Sequence, residues 1–511
     1  MFYNFKWLKI KHKFYNFLLI IHIPTKKLKL AQLERYKIIQ LSSYSMNYHN
    51  NTNYDYNNGY NYNNGYYNSK QYKKQQRQRK LEEFEKNKKA SEERKDSLGP
   101  GLSAFTNLGN TCYMNSALQC LAHTPMFSAY FTTKSFMESI TENQLEELAK
   151  EYHDDKDPNK TIIIQRCVLN NKIQETLSYQ FYRILNRFWR KNCVVVPRSF
   201  KKTIEKLNDE FIGYNQNDSH EVINLILDKV NEETSIEATA YFRDISQQVS
   251  DLNVLRQNCY NIIDDVTKTP EEQNEAKILY KSTIQKNLQN STILSSFAYW
   301  KNHLTRKSII SDLFTGLFCS FTKCCECNNV TTKFEPFTNL SVSIPDNKNS
   351  TLEECLESFS KQEILDGENK KQCEECKKKT KSVKRMIIWE LPDILIIQLI
   401  RFVATNTGIY KNSSFVKFPL TNLSLNKCQM EWHSSSSKYG LHAVSNHMGS
   451  IKAGHYLAHC KNPVMQKWYE YNDEDIYVLD ESILEKEIVT SNAYTLFYNK
   501  QCDSDDESDS E

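Results

Sequence analysis

The chain has 511 residues, a formal net charge of +4, 25% charged residues and 39% hydrophobic residues. That balance belongs to a globular protein with polar appendages, and it indicates neither a nucleic acid nor a membrane as partner. The length exceeds one typical domain, yet a single lobed catalytic domain with insertions can fill most of it. The fifteen cysteines are scattered, several in Cys-x-x-Cys pairs, unlike the even framework of a small secreted domain; a reducing, cytoplasmic and/or nuclear compartment is expected.

In chain order, the apolar run Phe17 to Ile23 is too short to span a bilayer. Lys6, Lys9, Lys11 and Lys13 precede it as in a signal peptide, but no small-residue cleavage site follows, so neither a membrane span nor a leader is expected. Residues 46–72 repeat Asn, Tyr and Gly and have no means of building a core; Lys73 to Asp96 is densely charged without an apolar face. Residues 1–98 are therefore expected to be a disordered extension. Order should begin near Gly99-Pro100-Gly101-Leu102. Met114, Leu118 and Leu121 recur at helical spacing and place Cys112 at a helix N-terminus, where the dipole favours a thiolate. Phe181 to Trp189 and Glu221 to Leu227 also read as helices, and residues 234–296 as a polar, weakly amphipathic helical insertion. From Ser308 the texture turns to strands, among them Leu340 to Pro345, Ile394 to Leu399 and Ala493 to Tyr498. Residues 501–511 form an acidic tail, expected to be disordered, whose serines are phosphoacceptor candidates.

Two constellations carry chemistry. Cys112 lies in Asn107-Leu108-Gly109-Asn110-Thr111-Cys112-Tyr113-Met114-Asn115-Ser116, and far downstream come Gly454-His455-Tyr456 and Trp468-Tyr469-Glu470-Tyr471-Asn472-Asp473. A thiol is nucleophilic only as thiolate, so it needs an imidazole beside it and a third group to hold that imidazole. His442, His447 and His459 are nearby competitors for the imidazole. The second constellation is Cys324-Cys325-Glu326-Cys327 with Cys373-Glu374-Glu375-Cys376, two Cys-x-x-Cys knuckles that form the ligand set of a structural, tetrahedral zinc site with no position open for catalysis. Spacing favours Cys324 over Cys325 as the partner of Cys327.

With Gly213-Tyr214-Asn215-Gln216-Asn217-Asp218-Ser219-His220-Glu221, Ser308-Ile309-Ile310-Ser311-Asp312-Leu313-Phe314-Thr315-Gly316, Glu335-Pro336-Phe337 and Tyr439-Gly440-Leu441-His442-Ala443-Val444-Ser445-Asn446-His447, the chain resembles the ubiquitin-specific protease family of cysteine deubiquitinases over residues 101–500. Asn217 departs from it, standing where the family has a second Gln. The resemblance implies an α+β, papain-like fold of thumb, palm and zinc-ribbon fingers. Its boundaries would be a catalytic domain over 99–500, with the thumb at about 101–230, the insertion at 234–296, the fingers at 308–390 and the palm at 390–500. It implies hydrolysis of the isopeptide or peptide bond after the C-terminal glycine of ubiquitin by a monomer whose partners are ubiquitin and ubiquitinated proteins, with no nucleic acid. Cys112 would be the nucleophile, His455 the base, Asn472 its orienter with Asp473 as the alternative, and Asn107 a donor to the oxyanion. Asp218 would pair with arginines of the ubiquitin tail while also capping a helix, and Gln119 and Tyr456 would line the tail channel. Cys324, Cys327, Cys373 and Cys376 would hold the structural zinc of the fingers. The rival readings are a silent ubiquitin-binding scaffold, against which the intact Cys, His and Asn argue, and a protease for a ubiquitin-like modifier.

Overall fold

A computed structural model describes residues 100–141, 172–242, 245–345, 349–406, 408–433, 437–450 and 453–501, and the backbone of Leu19–Ile21, a strand antiparallel to Ala240–Phe242. The remainder of the N-terminal extension expected to be disordered, and the acidic tail after Gln501, lie outside the described residues. Among those residues no helix is long and apolar enough to cross a membrane, and the thirteen cysteines are all free.

The thumb is built on α1 (Cys112–Ala122), whose eleven residues carry no charge and are all buried. A helix buried on every side must satisfy its polar side chains internally. Ser116 donates to Ser445 Oγ at 2.8 Å, and Gln119 Nε2 to the Ser103 carbonyl at 2.9 Å. Around it lie α2 (Pro125–Thr132), α3 (Leu177–Arg190), α4 (Arg198–Leu207) and α5 (Ser219–Thr234). In α3, Leu177, Phe181, Ile184, Leu185 and Phe188 form the apolar stripe that turns inward. Its first turn is closed by Glu233 of α5, which accepts from the Leu177 and Ser178 N–H groups at 3.0 and 2.8 Å.

The insertion forms three helices, α6 (Gln247–Asp264), α7 (Pro270–Lys286) and α8 (Leu288–His303), so α8 runs past the expected limit at residue 296. Val249 and Leu252 of α6 and Leu294 and Phe297 of α8 make the insertion's small core. The insertion also leans on the fingers: Ile293, Tyr299 and Trp300 pack on Leu317, Cys319, Phe334, Ile387 and Trp389. After the short α9 (Ile309–Leu313), the fingers comprise β1 (Gly316–Cys324) and β2 (Val330–Phe337), followed by β3 (Leu340–Ser343) of the palm. Helix α10 (Leu352–Phe359) precedes β4 (Glu363–Leu365), the hairpin β5 (Lys371–Cys373) and β6 (Lys378–Thr380), and β7 (Ser382–Glu390). The finger sheet is ordered β4-β7-β1-β2.

The palm adds β8 (Ile394–Ile400), a hairpin β9 (Phe402–Thr405) and β10 (Gly408–Lys411), β11 (Lys438–Gly449), β12 (Gly454–Lys461), β13 (Trp468–Asn472), β14 (Asp475–Val478) and β15 (Ala493–Gln501). Its sheet runs β14-β13-β12-β11-β15-β8-β3, with Leu423–Ser424 beside β11. Strand alternation sorts it into two faces. Ile394 and Ile396 join the thumb core with α1, whereas Leu395, Ile397 and Leu399 join the core beneath α10. The sheet thus holds β12 directly against the helix that starts at Cys112.

Candidate active site

Cys112 is 4% exposed at the first turn of α1. Thr111, at the N-cap position, makes no cap bond with its side chain; its hydroxyl accepts from the Leu108 N–H at 2.8 Å. The first-turn N–H groups and the positive end of the dipole are therefore directed at the sulfur's surroundings. The preceding loop is organised by Asn107, whose Oδ1 accepts from Gly109 N at 2.9 Å, Thr111 N at 3.1 Å and the Thr111 hydroxyl at 3.3 Å. Gly109 has φ +109°, and a Cβ there would lie 2.8 Å from the Tyr214 ring, so this turn requires glycine.

His455 stands near the start of β12, opposite Met448 on β11. Its Nε2 lies 2.7 Å from Asn472 Oδ1. A carboxamide oxygen only accepts, so Nε2 carries the proton and Nδ1 is left for Cys112. The hydrogen bond to Cys112 lifts the imidazole to about 9, against the lowering effect of partial burial and with help from Asn472. His442, by contrast, is pushed down to about 3 by burial and sits 3.0 Å from the Thr124 hydroxyl. His459 pairs with Glu470 at 3.1 Å, and His447 packs its ring on Phe402 and Tyr456.

The turn after β13 divides its labour. Asn472 faces His455, while Asp473, named from sequence as the alternative orienter, serves the thumb. Asp473 Oδ2 accepts from Asn107 Nδ2 and Oδ1 from Asn115 Nδ2, both at 2.8 Å, and its carbonyl accepts from Phe105 N at 3.0 Å. These bonds offset the left-handed backbone at Asp473, φ 52°, a conformation a short polar side chain tolerates. One turn thereby sets both the imidazole and the loop before the nucleophile. Asn472→Ala is expected to lower kcat about a hundredfold by freeing the ring while leaving the denaturant midpoint near wild type. Asp473→Ala is expected to cost about 2 kcal/mol of stability, because two amides lose their acceptor; urea unfolding of both variants checks the contrast.

Asp218 is the N-cap of α5, accepting from His220 N at 2.7 Å, and its second oxygen accepts from the Tyr494 hydroxyl at 2.5 Å. Burial raises its carboxyl, partly countered by these bonds. Tyr456 is buried beside Ser219, and burial raises its phenol. Gln119, expected along the tail channel, is instead inside the thumb core with Nε2 on the Ser103 carbonyl. Sequence reasoning missed Asn115, the Ser116–Ser445–Ser219 hydroxyl cluster behind Cys112, and the bond between Gln216 and the Gly454 backbone. Gln216 belongs to the Gly213 to Glu221 motif, but nothing local in the sequence indicates its distant partner.

At the fingertips, the sulfurs of Cys324, Cys327, Cys373 and Cys376 all lie within 4.8 Å of one another, a group able to hold a metal ion. The Cys324–Cys376 and Cys327–Cys373 separations are 3.9 and 3.6 Å. A zinc tetrahedron with arms of about 2.3 Å has edges of about 3.8 Å, so the donor set fits. Glu326 N and Cys376 N donate to Cys324 and Cys373 Sγ at 3.4 and 3.5 Å, the supporting bonds that thiolates need. Cys325 is exposed and outside the group.

A helix-borne thiol hydrogen-bonded to an imidazole that a carboxamide orients, set between a helical thumb and a sheet palm, defines a papain-like α+β protein whose fingers carry a four-cysteine group able to hold a metal. Residues 103–498 match the family described as ubiquitin carboxyl-terminal hydrolase, and the chain belongs to that family. It is similar to a probable ubiquitin carboxyl-terminal hydrolase of Acanthamoeba polyphaga mimivirus, 30% identical over 81% of this chain and 92% of the relative. It is 29% identical to ubiquitin carboxyl-terminal hydrolase Usp2 of Drosophila melanogaster and to ubiquitin carboxyl-terminal hydrolase 2 of Bos taurus, in each case over 81% of this chain. The matches span only 36% and 58% of those two relatives. The SAGA DUB module of Ubp8, Sgf11, Sus1 and Sgf73 bound to monoubiquitin shares the fold, with TM-score 0.50 and 22% identity over 80% of this chain and 72% of that one.

Proposed function

We propose that the chain is a thiol-dependent deubiquitinase that cleaves the isopeptide or peptide bond after the C-terminal glycine of ubiquitin. The observation that carries this reading is the continuous chain Cys112–His455–Asn472 within a family match that spans most of the sequence. In the first step the Cys112 sulfur bonds to the glycine carbonyl carbon, the C–N bond breaks, and the lysine amine leaves with the proton of the His455 imidazolium. In the second, water gives a proton to His455 and attacks the thioester; the C–S bond breaks to return the Cys112 thiolate beside the imidazolium, and the ubiquitin carboxylic acid gives its proton to solvent as it leaves. The oxyanion of each step would accept from the Cys112 backbone N–H and from the second N–H of Asn107 Nδ2, whose first is fixed on Asp473. Asp218 would receive an arginine of the tail, a charge-assisted contact that selects a basic segment. The four-cysteine group would hold a structural Zn2+, which supplies cross-linking of the fingertip and no chemistry at Cys112. The free thiols fit a cytoplasmic or nuclear setting.

An imidazole lifted to about 9 is still charged at neutral pH, and the charged form is the one that protonates the leaving amine. The form is complete below that value and is lost as pH rises through it. The alkaline limb of kcat/KM is therefore expected near pH 9, measured with a ubiquitin fluorogenic amide. The reading itself is tested with a lysine-linked ubiquitin conjugate: release of free ubiquitin supports it, whereas binding of the conjugate without release, or turnover of another modifier in preference to ubiquitin, counts against it.

A further inference from the structure

Strand β12 pairs with β13 only from Ala458 to Lys461, while β11 covers its other side from Gly454 to Cys460. The half from Gly454 to Leu457, which carries His455, thus has one edge without a strand neighbour among the described residues. At Gly454 that edge is occupied by a side chain. Gln216 Oε1 accepts from Gly454 N at 3.0 Å, and Gln216 Nε2 donates to Gly454 O at 2.8 Å. One carboxamide therefore makes both bonds that the peptide of an adjoining strand would make. The same loop is held to the nucleophile's side: Asn110 Nδ2 donates to the Tyr214 carbonyl at 2.8 Å, and the Tyr214 ring lies over Gly109. The segment from Tyr214 to Gln216 so links the loop before Cys112 to the residue before His455. Gln216 is exposed, so water competes for its bonds and the link opens readily.

We propose that Gln216 is a gate: its amide takes the place of a substrate peptide group on Gly454, and the extended, glycine-ended tail must displace it before its own backbone pairs there. The proposal rests on the deubiquitinase reading for the identity of the tail. A closed fraction lowers apparent affinity in proportion to the fraction that is open, so Gln216 acts on KM and leaves the chemical step to Cys112 and His455. Gly454 itself admits no side chain, because a Cβ there would meet His447 Nε2 at 2.1 Å.

The test uses the full chain as wild type, Gln216→Ala and Gln216→Glu; the carboxylate can accept from Gly454 N but cannot donate to its carbonyl. With a ubiquitin fluorogenic amide, both variants are expected to lower KM by about three- to tenfold with kcat within about twofold. Amide exchange at Gly454 is expected to speed up about tenfold in the free Gln216→Ala protein and to be protected again once ubiquitin aldehyde is bound. A raised KM, or Gly454 exchange that the substitution leaves unchanged, overturns the gate while leaving the enzyme a deubiquitinase. Absence of turnover by wild type would overturn both.

Discussion

His455→Ala is expected to lower kcat/KM by about a thousandfold or more, with folding intact. The size follows from two duties carried by one ring. In the proposed mechanism it pairs with the Cys112 sulfur, the hydrogen bond that lifts the imidazole to about 9, and it would protonate the departing amine. No neighbouring histidine can substitute. His442 and His447 are held neutral by burial, at about 3 and 4, and His459 is engaged by Glu470. Because His455 is only half-buried at the start of β12, its loss leaves little cavity, and the thermal midpoint should move by no more than a few degrees. Steady-state kinetics beside a melting curve check this; a mere tenfold loss would mean that another group activates the thiol.

Replacing Cys373 of the four-cysteine group is expected to have the second large effect, and a local one. The β5–β6 hairpin has three residues on each strand, and of these only Cys373 and Thr380 are buried. So short a hairpin is marginal without cross-linking, and structural zinc contributes about 10–16 kcal/mol of apparent binding free energy in small domains. The finger base has its own core of Leu317, Cys319, Phe334, Ile387 and Trp389, backed by α8. Cys373→Ser is therefore expected to abolish stoichiometric zinc and to expose residues 366–381 to proteolysis while the palm and thumb stay folded. KM for a ubiquitin substrate should rise at least tenfold with a smaller change in kcat. Metal analysis and limited proteolysis decide it; an equally resistant fingertip without metal would contradict the structural role.

The features legible in the sequence were those carried by local pattern. The apolar spacing after Cys112 indicates α1, alternation indicates β3, β8 and β15, and the paired Cys-x-x-Cys knuckles indicate the four-cysteine group. What escaped depended on direction or on distant partners. Gln119 has the same helical spacing whether it lines a channel or points at Ser103, and only the burial of α1 on all sides decides for Ser103. Asn472 and Asp473 are adjacent and both polar; the backbone turn sends one to His455 and the other to Asn107 and Asn115. Asp218 was legible as a cap, but the Tyr494 hydroxyl on its second oxygen comes from the last strand of the sheet. The insertion read as weakly amphipathic because its shared core is small, and its contact with the fingers runs through a few residues, including Trp300, which donates to Glu390 at 2.8 Å, and the Lys281–Glu375 pair.

The central claim is that Cys112 is the thiolate that attacks the ubiquitin C-terminus. A ubiquitin probe with an electrophilic C-terminus, incubated with the full chain and followed by peptide mapping, addresses it most directly. One adduct on Cys112, absent from Cys112→Ala and suppressed by excess free ubiquitin, is the predicted result; labelling that persists in Cys112→Ala, or that maps to another cysteine, would contradict the account.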